Sequence, residues 1–319
     1  MESQIVAVRS ARIPPQVAGS LLAMGAALVW SVGALSNRWA DSSDAWQYLL
    51  WRSVGIIVGT QMVAWFRRDS PPIIRAWNSG PLMITASFGL IGASLGFVYA
   101  LKNTTAANAS FFASLSPFVA ALIAYFLLKE RFGRSTYLAM LIAGLGVLVL
   151  AFGPSGGSQG DGLPATMKGN VAALLCSFGF AVYVICLRQD PHRDWSPAMP
   201  GYCSMLSVLC IAVIVANGQA LIPARHDVVL AMVHGGVIIV VGTSMFNHAT
   251  KSVSSVGLAV LAQVETIAVP LMVLLVFNEV PSPAATFGGL LILAGVVVQA
   301  IGQSRAGMMV SAAEAEHGV

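Results

Sequence analysis

Long runs without a charged residue most constrain how this chain can fold. Eight runs each approach or exceed the about 20 residues that a helix needs to cross a bilayer. They cover 13–37, 76–101, 103–128, 135–160, 169–187, 195–224, 228–250 and 280–304. Two further apolar stretches, 45–66 and 252–278, contain one charge each, Arg52 and Glu265. Only 9% of the residues are charged, against roughly 25% in soluble domains. The sequence therefore predicts an all-α integral membrane protein with ten transmembrane helices.

The basic residues predict the orientation, because cytoplasmic loops of membrane proteins are enriched in Lys and Arg. With ten spans both termini lie on one side, and that side holds twelve of the 17 basic residues. The other five are Arg38, Arg52, Lys102, Lys168 and Arg225. We therefore expect a multi-pass protein of the cell (inner) membrane with both termini in the cytoplasm. The net charge of +4 follows from this topology and gives no nucleic-acid signal.

The two halves of the chain resemble each other. YALKNTTAANASFFASLSPFVAALIAYFLLKER (99–131) aligns with HATKSVSSVGLAVLAQVETIAVPLMVLLVFNEV (248–280). Pairs matched at an offset of 149 residues, or 150 near the start, include Trp30 and Phe180, Lys102 and Lys251, and Glu130 and Glu279. Because each half has an odd number of spans, the second half enters the membrane inverted. Inverted repeats predict a secondary transporter with its substrate site near the midplane, between the halves.

Residues 88–150 carry a YAL that ends the third span, small residues that open the fourth, a mid-helix proline and a closing KER. This segment resembles an EamA-type repeat of the drug/metabolite transporter superfamily. Residues 242–302 resemble a second, weaker copy, with Asn278-Glu279-Val280 in place of KER. The resemblance implies a carrier that exports small amphipathic metabolites by alternating access. It is similar to the branch that exports aromatic and neutral amino acids; nucleotide sugars, lipid-linked groups and drugs are the alternative substrates.

The repeat divides the chain into four parts. We expect a first five-helix repeat over 13–152 and a second, inverted one over 168–302. Between them lies a periplasmic linker, 153–167, with the Gly/Ser-rich stretch GPSGGSQGDG. Residues 303–319 form a cytoplasmic tail.

Glu265 is the first candidate for a site residue. It lies 14 residues from both Lys251 and Glu279, which places it near the midplane of the membrane. A carboxylate at that depth costs about 2.5–3.5 kcal/mol on insertion scales, so it must face the bundle, a water-filled cavity or a partner. It is therefore a candidate proton carrier or acceptor of a substrate ammonium. The alternative is a protonated carboxyl that only joins two helices.

Arg52 is the second charged candidate, eight residues past Asp44 in the second span. A guanidinium there has the geometry to bind a substrate carboxylate through two parallel hydrogen bonds. EamA-type chains commonly carry Arg early in this span, which favours a shared structural pairing instead. Extension of the side chain to the headgroups is a third reading.

Polar and aromatic residues inside the spans complete the predicted path. Ser110 and Ser114 share one face of the fourth span, and Thr243 and Asn247 are one turn apart in the eighth; packing between helices is the alternative for all four. The aromatic candidates have faces for an apolar side chain or an ammonium, and they are Trp30, Tyr99, Phe180 and Tyr183.

Two prolines predict helix breaks, and one charged cluster predicts a helix cap or a gate. Pro117 and Pro270 interrupt the hydrogen bonding of the fourth and ninth spans, where freed carbonyls become available to a substrate; simple bends are the alternative. Lys129-Glu130-Arg131 is expected to cap a cytoplasmic helix end, or to act as a gate when the helices move.

Other functional classes lack their motifs. The sequence has no P-loop, no nucleophile motif within a span and no Cys/His metal pattern, and its five histidines are expected at or near span ends and loops. We therefore expect no catalytic residues, no cofactor and no metal. A membrane enzyme or a non-transporting scaffold is the alternative from another class. The expected partners are a small-molecule substrate, the lipid bilayer and protons as a candidate coupling ion, and the expected state is a monomer or weak homodimer.

Overall fold

The computed structural model describes residues 14–129, 133–153, 166–190, 193–253 and 255–316. Within them, ten helical segments are long and apolar enough to cross a bilayer. Spans 1 to 10 are Pro15–Trp39, Ala45–Arg67, Pro81–Asn103, Ala106–Leu127, Arg134–Phe152, Met167–Gln189, Ala198–Ala216, Arg225–Ala249, Val260–Phe277 and Pro283–Gly302. All the backbone hydrogen bonds of a helix are internal, which is what a lipid environment requires. The prediction of ten membrane helices is confirmed.

Local residues set where the spans begin and end. Asp44 and Gln47 form a reciprocal capping box at the start of span 2, while Thr105 and Thr166 cap spans 4 and 6. Span 7 is shorter than the charge-free run 195–224 predicted, because the uncharged turn residues after Ala216 already end the helix. Charge-free runs therefore locate spans, and capping and turn residues set their ends.

In the described part of the chain, two helical segments lie outside the ten spans. A short helix, Pro72–Trp77, precedes span 3. The helix of span 10, Pro283–Glu316, continues from the membrane into the predicted tail. Most of the predicted linker 153–167 lies outside the described residues, and so do Glu130 and Arg131 of the predicted KER cap.

Pairs of spans from opposite halves pack together. Span 3 packs against span 6, span 5 against span 10, span 2 against span 7 and span 1 against span 8. Several pairs meet through glycine: a Cβ on Gly146 of span 5 would lie 2.6 Å from the Gly288 oxygen of span 10. Small residues allow such backbone contact between membrane helices. Two five-span halves thus form one interleaved bundle.

Spans 4 and 9 break at equivalent positions. Span 4 consists of Ala106–Ala113 and Ser116–Leu128, and span 9 is formed by Ser255–Ala262 and Val264–Phe277. The breaks, at 114–115 and at 263, differ by the 149-residue offset of the repeat. Each is a single tighter turn with hydrogen bonds between residues three apart. Pro117 follows the first break, but Pro270 lies inside an unbroken helix, so proline explains only one of them.

The same offset relates the far ends of these two spans. Lys129 and Asn278 both end their helices in the left-handed conformation, with φ of 54° and 51°. Most residues with a Cβ avoid this conformation, and asparagine tolerates it better than most. Equivalent breaks and equivalent caps show that the repeat is preserved in the backbone.

Span 8 contains a π-helical turn. The helices Arg225–Val233 and Val240–Ala249 are joined by a π-helix, His234–Ile239. Gly235 and Gly236 lie within it, against the backbone of span 2 at Arg52 and Gly55. Widened turns of this kind occur frequently at functional sites.

One end of the bundle is closed by polar contacts. We call it the linker end, because it holds residue 166, where the chain re-enters the bundle from the linker. Arg38 of span 1 forms an ion pair with Glu279 at 2.9 Å, and both side chains are less than a tenth exposed. Arg38 also donates to the Leu101 and Thr104 carbonyls, and Glu279 accepts from the Ala106 amide. Burial raises the pKa of Glu279, and the Arg38 guanidinium opposes that rise.

Candidate functional site

Arg52 is a buried guanidinium with no acidic partner among the described residues. Its side chain is 5% exposed, and one Nη donates to the Ser94 hydroxyl of span 3. Its Nε has no hydrogen-bond partner. Among the residues that the structure describes, no carboxylate lies within ion-pair distance of it. In this part of the chain, the Arg52 guanidinium is therefore hydrogen-bonded to a neutral hydroxyl and not paired with a carboxylate.

A hydrogen-bonded chain joins spans 1, 2 and 8 beside Arg52. Ser36 donates its proton to the Leu230 carbonyl and accepts from the Tyr48 hydroxyl at 2.9 Å. Because Tyr48 has thereby used its proton, its 2.7 Å contact with Nδ1 of His234 requires His234 to be the donor. This assigns the Nδ1–H tautomer and leaves Nε2 facing Gly33. The direction of the chain is assigned from donor and acceptor counts.

Glu265 lies in the first turn of the second half of span 9, directly after the break at Gln263. No basic residue among the described ones lies within ion-pair distance of Glu265. The carboxyl group therefore lies at the break without a counter-ion in this part of the chain.

Cys176 of span 6 lies near both charged residues. Its thiol lies within electrostatic reach of both Glu265 and Arg52. Tyr202 and Cys203 of span 7 are also within electrostatic reach of Arg52. Among the described residues, Arg52 and Glu265 thus both lack an ion-pair partner, and both lie within electrostatic reach of one small side chain.

The remaining polar candidates fall into different surroundings. Ser110 is buried and its hydroxyl has no partner; the Thr243 hydroxyl is also buried and unpaired. Ser114 donates to the Phe111 carbonyl at 2.8 Å, which satisfies it within its own helix. Asn247 is exposed. Two of these four residues therefore retain unused hydrogen-bonding capacity inside the bundle.

The four aromatic candidates lie in three separate places. Trp30 lies 5.4 Å from Phe246 and against Gly242 of span 8. Phe180 and Tyr183 are neighbours within span 6, with ring centroids 5.9 Å apart. Tyr99 lines a groove between spans 3 and 6, described below. The structure does not gather the four into one aromatic box.

Sequence reasoning missed His234, Ser94 and Tyr48. We expected the histidines at or near span ends and loops, but His234 is the tenth residue of span 8 and only 5% exposed. The available signal was the run 228–250, which has no charge but contains a histidine beside two glycines. Ser94 and Tyr48 carried no such signal, because serine and tyrosine are common in membrane helices.

Comparison with known proteins agrees with the two-half architecture. The profile of the EamA-like transporter family matches residues 17–152 and again 167–300. The uncharacterized transporter YetK of Bacillus subtilis (strain 168) is 27% identical over 113 residues, which are 35% of this chain and 33% of YetK. This alignment thus spans only a third of that relative.

A solved crystal structure has the same fold. It superposes with a TM-score of 0.60 at 18% identity, over 88% of this chain and 97% of the other. The ten spans, the break in each half and the twofold profile match lead to one conclusion. The chain belongs to the EamA-like transporter family.

Proposed function

We propose that this transporter exports amino acids, aromatic and neutral ones among them, by alternating access. The observation that supports this most is the pair of unpaired charges, Arg52 and Glu265, within reach of Cys176. An amino acid at neutral pH carries one carboxylate and one ammonium. Such a zwitterion presents an anion to Arg52 and a cation to Glu265, and it compensates both buried charges at once.

The alternative substrates complement only half of this arrangement. A nucleotide sugar or a lipid-linked phosphate would bind Arg52, but Glu265 would repel its phosphate. A cationic drug would bind Glu265 and be repelled by Arg52. An uncharged drug would leave both charges uncompensated in the membrane, which is costly. Charge complementarity therefore favours a zwitterion.

The surroundings fit an apolar substrate side chain. Trp30, which is one turn from Gly33 and the His234 ring, is only partly buried, and its ring is tilted by 42° relative to that of Phe246. Aromatic pairs in contact contribute about 0.5–1.5 kcal/mol beyond their area. A substrate ring held near Arg52 would gain similar contacts, which accounts for aromatic substrates among those exported.

The experiment is counterflow of labelled amino acids into liposomes that contain the purified protein. We expect saturable uptake of phenylalanine and leucine. We also expect little competition from phenylalanine amide, which lacks the carboxylate, or from phenylpropionate, which lacks the ammonium. Absence of saturable counterflow with any amino acid, together with uptake of a nucleotide sugar, would contradict the proposal.

Arg52→Gln should weaken phenylalanine binding by about tenfold or more, because a charge-assisted hydrogen bond is lost. The same variant should abolish the preference for phenylalanine over its amide. Arg67→Gln is the matched control: Arg67 is exposed at the end of the same span, so affinity and preference should stay at wild-type values. Equal affinity losses for phenylalanine and its amide in Arg52→Gln would return Arg52 to a structural role.

A further inference from the structure

A lateral groove lies between spans 3 and 6, and its lining comes from spans 2, 3 and 6. Its volume is about 550 Å³. The spans that enclose the charged site from the other half, 8 and 9, contribute nothing to it. Phe88 and Phe178 on its walls are 61% and 54% exposed. The groove therefore faces the lipid, separately from the Arg52 site.

Glycines show which part of the groove is required for helix packing. A Cβ on Gly89 would lie 2.7 Å from the Gly179 oxygen, and one on Gly96 would lie 2.5 Å from the Ala172 oxygen. These residues must be glycine for the two spans to touch. At Gly92 the nearest atom is 3.6 Å away, an ordinary contact. The close approach of the spans therefore does not require a glycine at position 92, and its missing side chain leaves the floor of the groove empty.

The two ends of the groove differ in chemistry. Trp46, Tyr99 and Lys168 line it at the linker end. Towards the opposite end its walls are apolar, with Phe88, Leu175 and Phe178. Aromatic and basic residues mark the headgroup level of a membrane, and apolar walls match its hydrocarbon. The change from basic and aromatic residues to apolar walls matches the change from polar headgroup to acyl chain in a single phospholipid molecule.

We propose that the lateral groove binds one phospholipid, with an acyl chain over Gly92 and the phosphate at Lys168. Lys168 is exposed at the first turn of span 6, so it supplies the positive charge that a lipid phosphate needs. From Tyr99 to Thr85 the groove follows span 3 for about 21 Å at 1.5 Å per residue. This exceeds the about 15 Å hydrocarbon depth of one leaflet, so a whole chain fits along it.

A photoactivatable phosphatidylglycerol, with its reactive group at mid-chain, tests this in nanodiscs of the wild-type protein. We expect the label to concentrate on peptides that contain residues 85–99 and 168–182. In Gly92→Leu this labelling should fall about tenfold or more, because each methylene expelled from an apolar site weakens binding roughly fourfold. In Lys168→Gln it should fall by about threefold, the size of a partly exposed ion pair.

Gly144→Leu is the matched control, since Gly144 is an exposed glycine of span 5 with nothing within 4 Å of a Cβ. It should label the groove as the wild type does. Uniform label over all lipid-facing spans of the wild type would overturn the proposal, and so would wild-type labelling in Gly92→Leu. Should Gly92→Leu fail to elute as a single species, the wild-type map and Lys168→Gln decide the question.

Discussion

Glu265 combines mid-membrane depth with the first turn of a half-helix, and it lacks a cationic partner among the described residues. If it holds the substrate ammonium, Glu265→Gln should weaken amino acid binding at every pH by about five- to thirtyfold, because a charged acceptor becomes a neutral one. Binding titrations across a pH series check this. Unchanged affinity with loss of the pH-gradient dependence of net flux would instead make Glu265 a proton carrier. Wild-type affinity, flux and pH response would leave it a structural carboxyl.

Trp30 provides a test of side-chain recognition. Trp30→Ala should reduce transport of phenylalanine and leucine more than transport of alanine, because only bulky side chains lose contact area. Concentration dependence of counterflow for each amino acid measures this difference. Phe246 would also lose its ring partner, so Phe246→Leu serves as the control for a loss of bundle packing alone. Equal losses for all three substrates would place Trp30 in the core of the bundle.

The residues of the candidate site were only partly predictable. Arg52 and Glu265 stand out because a charge within an apolar run is rare. The hydrogen-bonded chain through His234 could not be derived, since it requires the relative rotation of spans 1, 2 and 8. That rotation is set by contacts such as Gly33 against the His234 ring, and these involve residues some 200 positions apart. At this scale, the sequence therefore identifies charged residues within apolar runs, but it does not identify residues whose role depends on contacts between distant spans.

Among the elements, spans 1, 3, 4 and 9 are joined at the linker end by the Arg38–Glu279 ion pair and its backbone hydrogen bonds. Removal of one partner of a buried pair costs about 3–5 kcal/mol, because the other charge stays buried. Arg38→Gln and Glu279→Gln should each lower the thermal stability of the detergent-solubilised protein clearly. Fluorescence-detected elution after heating measures this, with Arg75→Gln as the control, whose partner Asp194 is 58% exposed.

A charge swap at the same pair gives a sharper result. The double variant Arg38→Glu, Glu279→Arg should not recover stability. Arg38 donates to the Leu101 and Thr104 carbonyls, and Glu279 accepts from the Ala106 amide. A carboxylate at 38 would face carbonyl oxygens, and a guanidinium at 279 would face an N–H donor. Full recovery in the swap would mean that charge alone, and not the backbone contacts, holds this end together.

The elements themselves were easier to predict than their interruptions. Eight charge-free runs and two apolar stretches with one charge each located all ten spans, because lipid imposes a length and a polarity on each one. The break in span 4 was predicted through Pro117. The break in span 9 lies seven residues before Pro270, at a position that only the repeat offset identifies. Proline removes one hydrogen bond, but neighbouring residues decide whether the helix also changes its turn.

At the scale of the whole molecule, the two halves share one plan but differ in detail. The equivalent breaks at 114–115 and 263, and the equivalent caps at Lys129 and Asn278, preserve the repeat. The interior charges are not repeated: Glu265 corresponds to Ser116 at the 149-residue offset, and span 7, the equivalent of span 2, contains no arginine. The two halves therefore share a backbone plan, while the charged residues of the interior belong to one half each.

The orientation of this scaffold is the prediction on which the direction of export rests. If the halves are inverted and both termini are cytoplasmic, reporter fusions after residue 319 and within 153–162 must lie on opposite sides of the membrane. A periplasm-active phosphatase should be active only in the 153–162 fusion, and a cytoplasm-active fluorescent protein only in the fusion after residue 319. The reason is the distribution of Lys and Arg: in this topology twelve of the 17 lie on the side of the termini, and only five belong to the other side. Activity of the same reporter at both positions would require an even number of spans between them, which would contradict the inverted repeat, and the paired packing of spans 3 with 6 and 1 with 8 would then need another explanation.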